Sequence, residues 1–340
     1  MTKDKSPSDQ EGYKEFLNEA LQQTVTPFAE EKQDQALKKG RNRARFTNIC
    51  LVLTFLLCIQ PILYIATMVY YNFSPTNASE IRKVTKQTLS ITEPNVYMKE
   101  RYMKQTLLPF SLQLQFDLSK RVGKKDVRIG TENIHYLFST PKKVNRNYTI
   151  DEPIPEVQYK DNEVLFHPDN YYTSYDSGNE REVLQGLPKE SVVEVYVSFR
   201  ELLSIQTVNE TFKNVDVVWY AVDTGLEKKR GKHDGYYVAP IGFPADIISN
   251  LEGPFSNETP HEKQFVNILK SLQKHEKLAE EIARAKTLEL PKRIAYIEKN
   301  GIKSYGAVIT GPKEEIEKIL ENEYIRKWKV GETRLWNWHS

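Results

Sequence analysis

The chain has 340 residues but only two cysteines, Cys50 and Cys58, and both lie inside its one long apolar run. Everything after that run lacks a thiol, which excludes a disulfide-stapled exterior domain. This fits a Gram-positive type of cell surface better than an animal secretory pathway. Excess charge is lacking too. With 48 basic and 46 acidic residues the net charge is +2, so the whole chain carries no electrostatic footprint for direct nucleic-acid binding. The six histidines fall at no metal-ligand spacing, and there is no Gly-x-Ser-x-Gly elbow, phosphate-binding loop or dinucleotide fingerprint. These absences argue against an enzyme, a cofactor and a metal site, and toward binding or sensing.

What is present is a stretch from Phe46 to Tyr71 with no charge, and none occurs between Arg45 and Glu80. About 20 apolar residues cross a hydrocarbon core of about 30 Å, so this run predicts one membrane-spanning helix in contact with the lipid bilayer. The run is about twice too long, and the segment of residues 1–45 before it too long an n-region, for a cleaved secretory signal. Lys38, Lys39, Arg41, Arg43 and Arg45 crowd its N-terminal side, which places the N-terminus in the cytoplasm and the C-terminus outside the cell membrane. Gln60 and Pro61 sit mid-span. The proline removes one backbone hydrogen bond, and the glutamine is suited to bonding a neighbouring helix or simply to being tolerated.

Before the span, Tyr13, Phe16, Leu17, Ala20, Leu21, Val25 and Phe28 recur at helical spacing along one face, with Pro27 expected to end or bend the helix. A segment of residues 1–45 has no core of its own to cover such a stripe. Burying three or four of these side chains at about 1.5–3 kcal/mol each would offset the ordering of a short helix. Residues 1–34 hold eight acids against four bases, a net charge of −4, which an anionic leaflet repels and a basic protein attracts. The partner-binding candidates are therefore Tyr13, Phe16, Leu17, Leu21, Val25 and Phe28. A disordered tail and a surface-lying helix are the competing readings.

Beyond the span, Ser74 to Ser90 reads as a polar linker. Ser111 to Leu118 alternates Leu112, Leu114, Phe116 and Leu118 with polar residues, the signature of a half-buried strand, and Ile134 to Phe138 is another strand candidate. Residues 72–188 thus predict a linker and a β-rich region. Residues 189–340 carry two strand-helix-strand units. The first is Val192 to Phe199, the Ser204-capped stretch to Phe212, and Asp216 to Val222. The second is Tyr305 to Thr310, a helix opened by Pro312, and Ile325 to Val330. Two such units predict a ferredoxin-like, split βαβ distal domain. A helical stretch from about Pro260 to Leu288 lies between them. The fold class expected is a single-pass membrane protein with an α+β exterior.

Val222-Asp223-Thr224-Gly225 looks like the turn of aspartic proteases, but a single copy supplies only one of the two carboxylates that chemistry shares, and an ordinary strand-ending turn explains it. The Asn-X-Ser/Thr triplets at Asn72, Asn77, Asn147, Asn209 and Asn257 are taken as chance in an Asn- and Thr-rich chain.

The segments EVYVSF (194–199), VVWYAVDTG (217–225), IGFP (241–244), YGAVITGPKEE (305–315) and LWNW (335–338), in this order downstream of a basic-flanked span, closely resemble the sigma factor regulator family of Firmicutes, of the Bacillus anti-sigma-M type. The resemblance covers about residues 185–338 well. Residues 75–185 match only in places, such as Glu93 to Tyr97. It implies a transmembrane anti-sigma factor whose cytoplasmic segment withholds an extracytoplasmic-function sigma factor until envelope stress releases it, with a second membrane protein as a further candidate partner. The alternative is a cell-envelope binding or scaffold protein without sigma factor control.

Overall fold

The computed structural model describes residues 7–23, 27–75, 77–148, 165–169, 178–229, 240–246, 253–256, 258–285 and 287–335. They form two compact units, Met1–Ile65 and Ala66–Ser340. The first is helical. Helix α1 spans Pro7–Gln23, and α2 opens at Pro27 and runs to Phe73. Proline suits both first positions, where its missing N–H would have had no intrahelical partner. Pro27 therefore starts a new helix, and residues 24–26 lie outside the described ones. Among the described residues α2 is the one helix long and apolar enough to cross a membrane, with Pro61 inside it.

The second unit begins with a difference from the sequence reading. The stretch expected to be a linker holds α3, Ala78–Thr92, capped by Asn77, whose side chain accepts the Glu80 N–H at 2.9 Å. Its Thr and Gln residues read as surface, yet Ile81, Val84, Leu89 and Ile91 are at most 1% exposed. Two of the buried threonines have partners: Thr85 Oγ1 lies 2.7 Å from Ile81 O and 2.9 Å from the Tyr136 hydroxyl, and Thr92 Oγ1 donates to Thr88 O at 2.8 Å.

An antiparallel meander follows: β1 (Val96–Leu108), β2 (Ser111–Val122), β3 (Lys125–Leu137) and β4 (Thr140–Tyr148), in that order across the sheet. The alternation predicted for Ser111 to Leu118 is present in β2. Leu112, Leu114, Phe116 and Leu118 are buried and share a core with α3.

Next come α4 (Gly178–Gly186), β5 (Ser191–Leu203), α5 (Ile205–Thr211), β6 (Asp216–Val222), a 3-10 turn at Glu227–Lys229, and β7 (Gly242–Pro244). Helices α6 (His261–Gln273), α7 (Glu276–Ile282) and α8 (Leu290–Asn300) then lead to β8 (Ser304–Pro312), α9 (Lys313–Ile319) and β9 (Ile325–Leu335). The five strands form a second sheet in the order β7-β6-β8-β5-β9, every neighbouring pair antiparallel. Ser204 caps α5 as its hydroxyl predicts, accepting the Thr207 N–H at 3.0 Å. Pro312 ends β8 and stands just before α9, one residue earlier than expected. Strand β5 is buried along its first nine residues, so its alternating pattern is not a half-exposed one. The far end of β2 covers it: Gly123, at φ +57°, donates its N–H to Thr310 Oγ1 at 2.7 Å, and a Cβ there would sit 2.6 Å from Val192 Cγ1.

Candidate functional site

In the first unit, α1 places Tyr13, Phe16 and Leu17 in solvent, 68%, 70% and 42% exposed. Leu21 and Phe28 belong to α1 and α2, but their side chains, and Val25 altogether, lie outside the described residues. Gln60 and Pro61 are on the other helix, α2, both exposed, as are Cys50 and Cys58.

The second unit holds a feature that the sequence reading missed. The last two turns of α2 are gripped by two hairpin turns, Pro109-Phe110 and Phe138-Ser139. Thr67, fully buried, accepts the Phe110 N–H at 2.8 Å. The Tyr71 hydroxyl donates to Phe138 O at 2.7 Å, and the Tyr70 hydroxyl meets Ser139 Oγ at 2.7 Å. Tyr70 stands edge-on to Phe138, with ring centroids 5.2 Å apart. Phe110 and Phe138 both take left-handed backbone, φ +56° and +53°, a conformation costly for a bulky residue and kept only where surroundings enforce it. The available sequence signal was the Tyr70-Tyr71 pair closing the apolar run, the usual place for interfacial aromatics.

A buried charge joins the two sheets. Glu194 on β5 accepts from Asn95 Nδ2 at 2.7 Å, from Lys120 Nζ at 2.9 Å and from the Glu332 N–H at 2.9 Å. Asn95 holds φ +57° and also donates to Arg121 O. Lys120 donates in addition to the Tyr196 hydroxyl. Burial pulls the Lys120 ammonium down, but Glu194 first and then Tyr196 and Glu332 outweigh it and hold it well above its ordinary value.

The Asp-Thr-Gly turn is structural. Asp223, 4% exposed, accepts the Tyr296 hydroxyl at 2.7 Å and the Gly225 N–H at 3.0 Å, with His167 Nε2 at 3.5 Å. Burial alone would raise its carboxyl, but the nearby His167 and the bonds from Tyr296 and Gly225 bring it below the ordinary range. Burial, followed by the bond to Asp223, pushes Tyr296 up to about 12. Thr224 and Glu227 bond each other and both take Arg293 Nη1, a residue only 1% exposed. Gly225 holds φ +83°, and the Tyr296 ring lies where a side chain would go, 2.5 Å from an added Cβ, so both the backbone and the space call for glycine. Among the described residues no second aspartate shares this turn in the manner of a protease dyad, and no cluster of three metal-ligating side chains occurs.

Two family descriptions match the chain. The sigma factor regulator N-terminal model covers residues 34–127, and the sigma factor regulator C-terminal model covers residues 184–332. The first reaches well into the region where the sequence resemblance was patchy, taking in the span, α3, β1, the Pro109-Phe110 turn and β2, and it ends before the Phe138-Ser139 turn. A curated relative, the probable anti-sigma-M factor YhdL of Bacillus subtilis (strain 168), is 29% identical over 344 residues, spanning 96% of this chain and 91% of that protein. No solved structure matches. The stripe on α1 lies before both matched ranges, and the LWNW segment extends past the second.

Proposed function

The chain belongs to the sigma factor regulator family and is a membrane anti-sigma factor, and from that premise we propose how its parts divide the work. Residues 1–45 face the cytoplasm and hold the sigma factor, 46–71 span the membrane, 72–188 form the proximal exterior region, and 189–340 form the distal regulator domain. The basic flank before Phe46 supports this orientation. The partner is an extracytoplasmic-function sigma factor, released when the exterior region responds to envelope stress. Contact runs through Tyr13, Phe16, Leu17, Leu21, Val25 and Phe28, with Gln60 and Pro61 as the points in the span where a neighbouring helix or a second membrane protein would be felt. We read β6-β8-β5-β9, with α5 and α9 as crossovers, as a split βαβ sheet with β7 added at its edge. The role is regulatory, without a catalytic centre.

The observation that carries this reading is the uncovered apolar face of α1 at Tyr13 and Phe16, ahead of the one helix able to span a membrane. The test combines capture with truncation. The tagged full chain should co-purify a sigma factor, and deletion of residues 1–45 should abolish capture and raise that sigma factor's regulon. An unchanged reporter with no sigma factor captured would overturn the reading in favour of an envelope-binding scaffold, in which the exterior carries the phenotype and the tail is dispensable.

A further inference from the structure

Among the described residues after Phe73, five large apolar side chains stand exposed: Leu108, Leu137, Phe138, Val183 and Leu335. Three of the five are at the two hairpin turns that grip α2. Leu108 pairs with Ser111, and Ser111 pairs with Leu137, so these residues form one row across the end of the proximal sheet. Phe138 follows directly, and Phe73, the last residue of α2, is 83% exposed. Scattered apolar residues on a surface are ordinary, but a cluster at one sheet end needs an occupant.

The occupant follows from the chain's own continuity. A hydrocarbon core of about 30 Å takes up about 20 residues of helix. Counted from Arg45, the last charge before the run, that length ends near Ile65. Thr67, Tyr70 and Tyr71 therefore emerge where acyl chains give way to head groups, and the turns hydrogen-bonded to them are held at the same level. Tyrosines with a ring in apolar surroundings and a bonded hydroxyl suit that depth.

We propose that the Pro109-Phe110 and Phe138-Ser139 turns form a lipid-contacting foot, with Leu108, Leu137 and Phe138 seated at the boundary between acyl chains and head groups in the leaflet from which α2 emerges. The domain then rests on the bilayer by this sheet end as well as hanging from the helix.

The test uses the full chain in lipid nanodiscs with one environment-sensitive fluorophore at a time. Labels go on L108C, F138C or V183C with both native cysteines replaced by serine, and on native Cys58 with only Cys50 replaced. Quenchers are lipids bearing a shallow doxyl group and aqueous iodide. Labels at 108 and 138 should lose most of their emission to the doxyl lipid and resist iodide, while the label at 183 should do the reverse. Loss to iodide but not to lipid at 108 and 138 overturns the proposal. Protection from both quenchers overturns it too, since a second copy or other protein surface would then cover the turns. A Cys58 label insensitive to lipid would mean that the spanning reading itself fails, an outcome distinct from failure of the foot.

Discussion

Replacing Lys120 with methionine tests the joint between the two sheets. The ammonium sits 2.9 Å from Glu194 Oε2, with the two side chains 12% and 0% exposed, so solvent does little to screen the pair. Lys120→Met keeps most of the buried stem but leaves a carboxylate with only Asn95 Nδ2 and the Glu332 N–H as donors. Breaking a buried pair from one side costs about 3–5 kcal/mol. For a unit of this size that is about 2 °C of Tm per kcal/mol, a fall of roughly 6–10 °C. The double variant Lys120→Met with Glu194→Gln removes both charges and should recover a good part of the loss, because replacing a whole buried pair is far less costly than halving it. The sign with pH is also set. The folded-state value of Lys120 is raised, so its contribution is fully present below the unfolded lysine value of about 10.4 and disappears as pH climbs through the folded value. Thermal unfolding of the full chain in detergent, from pH 7 into the alkaline range, measures all three quantities. A Tm unchanged in Lys120→Met, or a double variant no better than the single one, would refute the reasoning.

Phe16→Asp would carry a charge into an apolar groove and should weaken sigma factor capture by at least about tenfold, read by titration of the full chain; wild-type binding would remove the stripe as the contact. Gly225→Ala must adopt φ +83° against the Tyr296 ring and should cost about 1–3 kcal/mol of stability, measured by denaturant unfolding. Asp223→Asn should cost about 1–3 kcal/mol near neutral pH. Because the Asp223 carboxyl is lowered on folding, that difference is full above the unfolded aspartate value of about 3.9 and fades as pH falls through the lower folded value. Tyr71→Phe removes the bond to Phe138 O and should cost about 0.5–1.5 kcal/mol, with faster hydrogen exchange at the β3 to β4 turn.

Much of the distal sheet was legible because its strands announce themselves locally. DVVWYAV is β6 to the residue, and the Ser204 cap marks the start of α5. Helix α3 was not legible. Its buried threonines and glutamine look like surface until the meander and the distal helices close over them, and nothing in the residues 78–92 themselves says that they will. Glu194 lies within a strand motif that gives no sign of a charge hub, since its partners Asn95 and Lys120 come from segments distant in sequence. The candidate site divides the same way. Tyr13, Phe16 and Leu17 follow from helical spacing, whereas the grip on the span's end depends on two phenylalanines in left-handed turns, which no propensity would select.

Taken alone, the sequence determined what depends on composition and period: a charge-free run long enough for a bilayer, a basic flank beside it, an acidic apolar stripe before it, and strand and helix rhythms after it. Each of these is local, because desolvation of a contiguous run and side-chain periodicity act within a few turns of chain. Tertiary structure alone decided which distant groups share a buried pocket. Asn95 meets Glu194 from 99 residues away, Lys120 meets it from 74, and Tyr71 reaches Phe138 across 67. A buried polar group must find a partner somewhere, but which partner is set by how the sheets and α3 close on one another rather than by its neighbours in sequence.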